Sequence, residues 1–162
     1  MRVGIGWDVH RLVNCKTKSG CLILGGIKVP FNKKLEGYSD ADVLTHAVID
    51  AILGAAGLFD IGFYFPTGDN KYRGISSMKL LEKVKKLIKS KKLKIVNIDS
   101  VIIAQKPKLS PFTQKIAGSI ANVLSLPLKN VNVKSKTEDN LGYIGKGKAI
   151  AAYAVCLVKP IR

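Results

Sequence analysis

The chain has only two histidines, His10 and His46, and each stands in a strongly patterned stretch beside carboxylates. In GIGWDVHRL (residues 4–12) apolar residues alternate with glycine, aspartate and histidine, the period of a strand. Val3, Ile5, Trp7 and Val9 fall on one face, and Gly4, Gly6, Asp8 and His10 on the other. Asp8 and His10 therefore leave the same face about 6.6 Å apart at the backbone. The two glycines predict a sterically empty surface there, which suits a ligand better than a packed core. His46 belongs to a second line: Asp42, His46 and Asp50 recur at i, i+4 and i+8, opposite a stripe of Leu44, Ala47, Val48, Ala51, Ile52 and Ala55. A helix apolar nearly all round is expected to be buried on both sides, and buried charges need a partner or a metal. Two histidines and one carboxylate form the usual ligand set of a catalytic zinc with an open fourth position. Two core histidines, each bonded to its neighbouring aspartate, fit the same pattern. Only the meeting of strand and helix in space separates the two.

The elements that must position these residues follow from periodicity and punctuation. A strand over 2–10 precedes a polar loop and a hairpin, 22–24 and 27–29, turning at Gly25-Gly26. Ser39 and Asp42 resemble a helix-capping pair opening a helix over 40–57. Residues 60–69 read as irregular, 79–94 as a basic amphipathic helix, 94–104 as a strand and 111–124 as a helix. A strand at 130–136, a loop at 137–148 and an apolar strand at 149–158 close the chain. The expected fold is α/β (α+β): one compact domain over 1–162, a small mixed sheet with helices packed on one face.

Composition bounds the function. Net charge is +16, with 23 lysines against 4 arginines. In 79–94, Leu80, Leu81, Val84, Leu87 and Ile88 recur at helical spacing while Lys79, Lys83, Lys86 and Lys89 fall opposite. No aromatic residues interleave for base stacking and the arginine fork is scarce, so this is a solvated face, and no nucleic-acid partner is expected. No apolar run approaches the roughly 20 residues of a membrane span, so no membrane partner is expected. The strand pattern beginning at Arg2 leaves no room for a signal peptide, and the expected location is cytoplasmic. Of the three cysteines, Cys15 and Cys21 are close enough to bridge, but free thiols are the expectation for all three.

GIGWDVHRL, SDADVLTHAVIDAILGAAGLFDIG, FPTGD, IIAQKPKL and VNVKSKTEDNLGYIGKGKAIAA follow one another in order over nearly the whole chain. In this the sequence resembles the 2-C-methyl-D-erythritol 2,4-cyclodiphosphate synthase family of the non-mevalonate isoprenoid pathway. The resemblance implies a homotrimer with active sites between neighbouring subunits. It implies zinc on Asp8, His10 and His46, and a second ion, Mg²⁺ or Mn²⁺, on Asp139 with Glu138 as the alternative. The implied reaction cyclises 4-diphosphocytidyl-2-C-methyl-D-erythritol 2-phosphate and releases CMP. Thr137 matches the threonine credited with stabilising the transition state, and Tyr38 stands at the other catalytic position. Ala104, Lys108 and Leu109 match the cytidine pocket; Asp60, Ile61, Gly62, Phe65 and Asp69 match the part that holds the sugar-like portion. Asp8, His10, Ser39, Lys136, Glu138, Tyr143 and Lys146 complete the implied substrate contacts.

Several positions depart from the family pattern. Tyr38 replaces a histidine that contacts phosphate, Thr67 a frequent Asp, Lys146 a common Arg and Lys148 a frequent Glu. The zinc set is untouched. Two other functions fit the residues: a metal-dependent phosphohydrolase using bound water, and a non-enzymatic basic module acting through its lysine face. Release of inorganic phosphate would mark the first, and salt-dependent nucleic-acid affinity insensitive to chelators the second.

Overall fold

The computed structural model describes residues 1–15 and 22–161. Its strands are β1 (Arg2–Asn14), β2 (Leu22–Leu24), β3 (Ile27–Val29), β4 (Lys33–Leu35), β5 (Leu93–Ile103), β6 (Val131–Lys136) and β7 (Ala149–Pro160). Its helices are α1 (Val43–Ala56), α2 (Ile61–Tyr64), α3 (Ser77–Ser90), α4 (Thr113–Leu124) and α5 (Gly142–Gly145). The main sheet runs β4-β1-β7-β5-β6, with β5 and β6 parallel and the other neighbours antiparallel, so it is mixed as expected. The expected hairpin forms the separate β2–β3 pair. The short β4 strand and the single turns of α2 and α5 lie in stretches that carry too few residues for a periodic signal.

The seat of α1 corrects the expectation of an empty glycine face. A Cβ on Gly6 would stand 2.0 Å from the Ala47 carbonyl oxygen, and one on Gly4 2.2 Å from the Ala55 nitrogen. The glycines therefore admit the helix backbone itself, and Ala47, Ala51 and Ala55 are fully buried against β1. The opposite face is the apolar one, yet it is left uncovered: Val3 is 67% exposed, Ile5 70% and Trp7 46%. Tyr153 and Val155 of β7 lie beside them, in register with Trp7 and Ile5.

Helix α1 is capped by Asp42, three residues later than the Ser39 expectation, and ends at Gly57 in the left-handed conformation (φ 72°). The Asp42 carboxylate accepts from Thr45 N–H (3.1 Å), Thr45 Oγ1 (2.8 Å), Gly25 N–H (2.9 Å) and Gly26 N–H (2.7 Å). One carboxylate thus caps the helix and holds the hairpin turn against it. Asp42 is wholly buried in this role, which removes it from the expected Asp-His-Asp line. Helix α3 buries Leu80, Leu81, Val84 and Ile88 and exposes Lys79, Lys83, Lys86 and Lys89, the expected solvated face. Among the described residues no helix is long and apolar enough to cross a membrane. Cys156 is a buried free thiol whose pKa burial pushes up to about 12. Cys15 is disulfide-bonded, correcting the free-thiol expectation: that expectation rested on compartment, which does not constrain local geometry. Cys21 lies outside the described residues.

Candidate functional site

Strand β1 and helix α1 meet where Asp8, His10 and His46 converge. Asp8 Oδ2 is 3.0 Å from His10 Nε2 and 2.9 Å from His46 Nδ1, and the two ring nitrogens are 3.1 Å apart. The far nitrogens decide which lone pairs face inward. His10 Nδ1 is 2.8 Å from the Glu36 carbonyl oxygen, which can only accept, so Nδ1 carries the proton and Nε2 a lone pair. His46 Nε2 is 2.8 Å from Ser77 Oγ and 3.1 Å from Ser39 Oγ. Ser77 Oγ donates its own proton to Asp40, so it accepts from His46 Nε2–H and leaves the His46 Nδ1 lone pair facing inward.

Three electron-rich atoms about 3 Å apart repel one another unless a positive centre lies among them. A second proton on an imidazole or a metal ion meets that need. Burial works against charge on Asp8, yet hydrogen bonding and charge from His10 and His46 hold its carboxyl well below the usual range. Burial also opposes charge on His10, and Asp8 more than reverses it, raising His10 above its ordinary value. Asp8, His10 and His46 are a group that could hold a metal ion, each offering one atom within 4.8 Å of the others. A carboxylate oxygen and two imidazole nitrogens, with both tautomers fixed by outer partners, fit a first-row divalent cation.

These three groups line a pocket of about 190 Å³ together with Tyr38, Ser39, Asp50, Ile61, Gly62, Phe65 and Thr67. Asp50 was legible as part of the helix line but not as a wall of the pocket. Its Oδ1 accepts from Ile61 N–H at 2.7 Å, tying α2 to α1, and burial raises its pKa although that bond opposes the rise. A larger pocket of about 630 Å³ is lined by Phe31, residues 104–110 and residues 135–137, and so includes Ala104, Lys108, Leu109, Lys136 and Thr137. The two pockets share no lining residue: Tyr38 lines the smaller and Thr137 the larger.

The other anticipated residues are spread further. Asp60 caps α2 through Phe63 N–H (2.9 Å) and lines a cleft with Ile5, Gly6 and Trp7 that shares Asp50 with the metal pocket. Asp69 caps the 70–72 turn and pairs with Lys71 at 2.6 Å. Asp139, Tyr143 and Lys146 are exposed beyond β6, Glu138 is half-buried, and Thr137 Oγ1 donates to Asp139 Oδ1 at 3.3 Å. Sequence reasoning missed the Glu36 carbonyl and Ser77, which touch ring nitrogens of His10 and His46, and Asp40, which accepts from Ser77.

Comparison with known proteins adds four likenesses. Residues 1–159 match the model of the YgbB family. The 2-C-methyl-D-erythritol 2,4-cyclodiphosphate synthase of Clostridium acetobutylicum is 56% identical over 158 residues, 98% of this chain and 99% of that protein. Among solved structures, the bifunctional IspDF of Campylobacter jejuni matches with a TM-score of 0.91 and 36% identity, over 98% of this chain but 42% of that longer one. The CDP complex of IspF from Plasmodium falciparum matches with a TM-score of 0.84 and 36% identity, over 99% of this chain and 97% of that one.

Proposed function

The chain belongs to the YgbB family, and from that premise we propose that it is a phosphorus-oxygen lyase acting on 4-diphosphocytidyl-2-C-methyl-D-erythritol 2-phosphate. An oxygen of the 2-phosphate attacks the β-phosphorus, the bond from that phosphorus to the oxygen bridging it to the α-phosphate breaks, and CMP departs. The product is 2-C-methyl-D-erythritol 2,4-cyclodiphosphate. The observation that carries this is the convergence of Asp8, His10 and His46 in a pocket. Its weight comes from a chain 56% identical to a protein named as that synthase.

Zinc on Asp8 Oδ2, His10 Nε2 and His46 Nδ1, with magnesium or manganese on Asp139 or its neighbour Glu138, would supply the positive charge that lets two phosphates approach. The chain's own residues position the substrate around it. Tyr38 and Ser39 offer hydroxyl donors to phosphate oxygens in the metal pocket, the Tyr38 hydroxyl without a charge. Ile61, Gly62 and Phe65 wall the sugar-like portion, with Asp60 and Asp69 flanking that segment. Backbone groups of Ala104, Lys108 and Leu109 receive the cytosine in the larger pocket. Thr137 donates to an oxygen of the transferring phosphoryl group, and Lys136, Tyr143 and Lys146 hold the diphosphate from the neighbouring loop. A solved structural relative in complex with CDP supports a cytidine diphosphate partner.

We assign the assembly as a homotrimer, with the larger pocket of one chain adjoining the metal pocket of the next. Two features support it. The pockets share no wall within one chain, and the uncovered sheet face presents Val3, Ile5, Trp7, Tyr153 and Val155 to a neighbour. The reaction is tested by incubating the chain with the cytidyl substrate, zinc and magnesium and identifying the products. CMP and the cyclic diphosphate, without inorganic phosphate, are expected. Inorganic phosphate as the accompanying product would mean attack by water and a phosphohydrolase.

A further inference from the structure

We infer that Asp40 and Ser77 act as a tautomer lock on His46, and that metal retention is thereby coupled to the docking of the α3 N-terminus. The inference rests on the metal reading above. Ser77 is the first residue of α3 and is wholly buried. Its backbone N–H donates to Asp40 Oδ2 at 2.9 Å, and its hydroxyl donates to Asp40 Oδ1. A hydroxyl has one proton; an ionised carboxylate only accepts. With that proton committed to Asp40, Ser77 Oγ offers only lone pairs to His46 Nε2, 2.8 Å away. The shorter of the two hydroxyl contacts at Nε2 can therefore only accept, which favours the proton of neutral His46 on Nε2, with Ser39 Oγ at 3.1 Å as the second partner.

The alternative tautomer is a real competitor. A proton on His46 Nδ1 would donate to Asp8 Oδ2 at 2.9 Å, giving a satisfied hydrogen bond and no ligand atom for a metal. Without Asp40, the Ser77 hydroxyl is free to turn and donate to Nε2, which favours that competitor. Two backbone bonds hold the 38–40 segment in place: Asp40 N–H donates to the Ile75 carbonyl at 3.0 Å, and Gly74 N–H donates to the Tyr38 carbonyl at 2.8 Å. The segment carrying the pocket residues Tyr38 and Ser39 is therefore clipped to the lead-in of α3 by the group that sets the histidine. Asp40 and Ser77 are positioning residues, acting through His46.

The test measures the zinc dissociation constant of the full chain by chelator competition for the wild type, Ser77→Ala and Asp40→Asn. It also records the ¹⁵N histidine spectrum of the metal-free wild type, which two histidines keep simple. A positioning role predicts zinc affinity weakened about 10- to 100-fold in either variant. It also predicts a smaller rise in Tm on zinc addition, and His46 protonated on Nε2 in the metal-free wild type. Variants that lose Tm equally with and without zinc, at unchanged zinc affinity, would reduce the pair to a structural role and overturn the inference. The spectrum serves as the check should Ser77→Ala fail to fold: His46 protonated on Nδ1 overturns the lock directly. A wild-type chain that takes up no zinc would sink the metal reading itself, and the inference with it.

Discussion

Burial alone would make His10 a weaker base, but Asp8 beside it more than reverses this, so His10 holds its proton above pH 6.5 in the metal-free chain. A metal must displace that proton. Zinc affinity is therefore expected to be flat at alkaline pH and to start falling above pH 6.5, by about tenfold per pH unit as His10 protonates. Chelator competition across a pH series checks this; an affinity constant down to pH 5 would show that His10 is not a ligand. Tyr38 poses a different question, because it gives the pocket a hydroxyl where the family resemblance leads one to expect a histidine. Tyr38→His is expected to keep or raise turnover, read by CMP release. A large loss would reveal a role for the phenol that hydrogen-bond donation alone does not describe. Asp8, His10 and His46 were legible because scarcity and period single them out. Ser77 was not, since a serine 31 residues from His46 carries no pattern that names its partner.

Secondary-structure elements fix these residues through a few close contacts. Asp42 answers four donors from the α1 N-terminus and the Gly25-Gly26 turn. Asp42→Ala would strand buried donors as well as remove the cap, and a loss of about 2–4 kcal/mol is expected in urea unfolding. A loss below about 0.5 kcal/mol, the scale of a neutral surface change, would show that the hairpin is held otherwise. Alternation in β1 correctly separated two faces, but it does not say which face the same chain covers. The pattern placed Val3, Ile5 and Trp7 on one face and the glycines, read as open space, on the other. The close approach at Gly4 and Gly6 instead gives α1 the other face, because backbone contact needs the absence of a side chain. A similar ambiguity moved the helix cap from Ser39 to Asp42: both are good capping types, and the hairpin that selects Asp42 is distant in sequence.

For the molecule as a whole, the uncovered apolar face and the divided pockets are the two features on which the proposed trimer rests. Trp7→Glu changes a residue 46% exposed in the single chain, so it should leave the fold of one chain intact. In a trimer it places a charge in the interface. Sedimentation is expected to give three times the chain mass for the wild type and a dissociated, inactive variant. A wild-type monomer with full activity would contradict the assembly. The central claim concerns the metal and is tested most directly by diffraction at the zinc absorption edge from crystals of the zinc-loaded chain. The expected result is one anomalous peak per chain, bonded to Asp8 Oδ2, His10 Nε2 and His46 Nδ1. A peak bonded to other atoms, or no peak between β1 and α1, would contradict it.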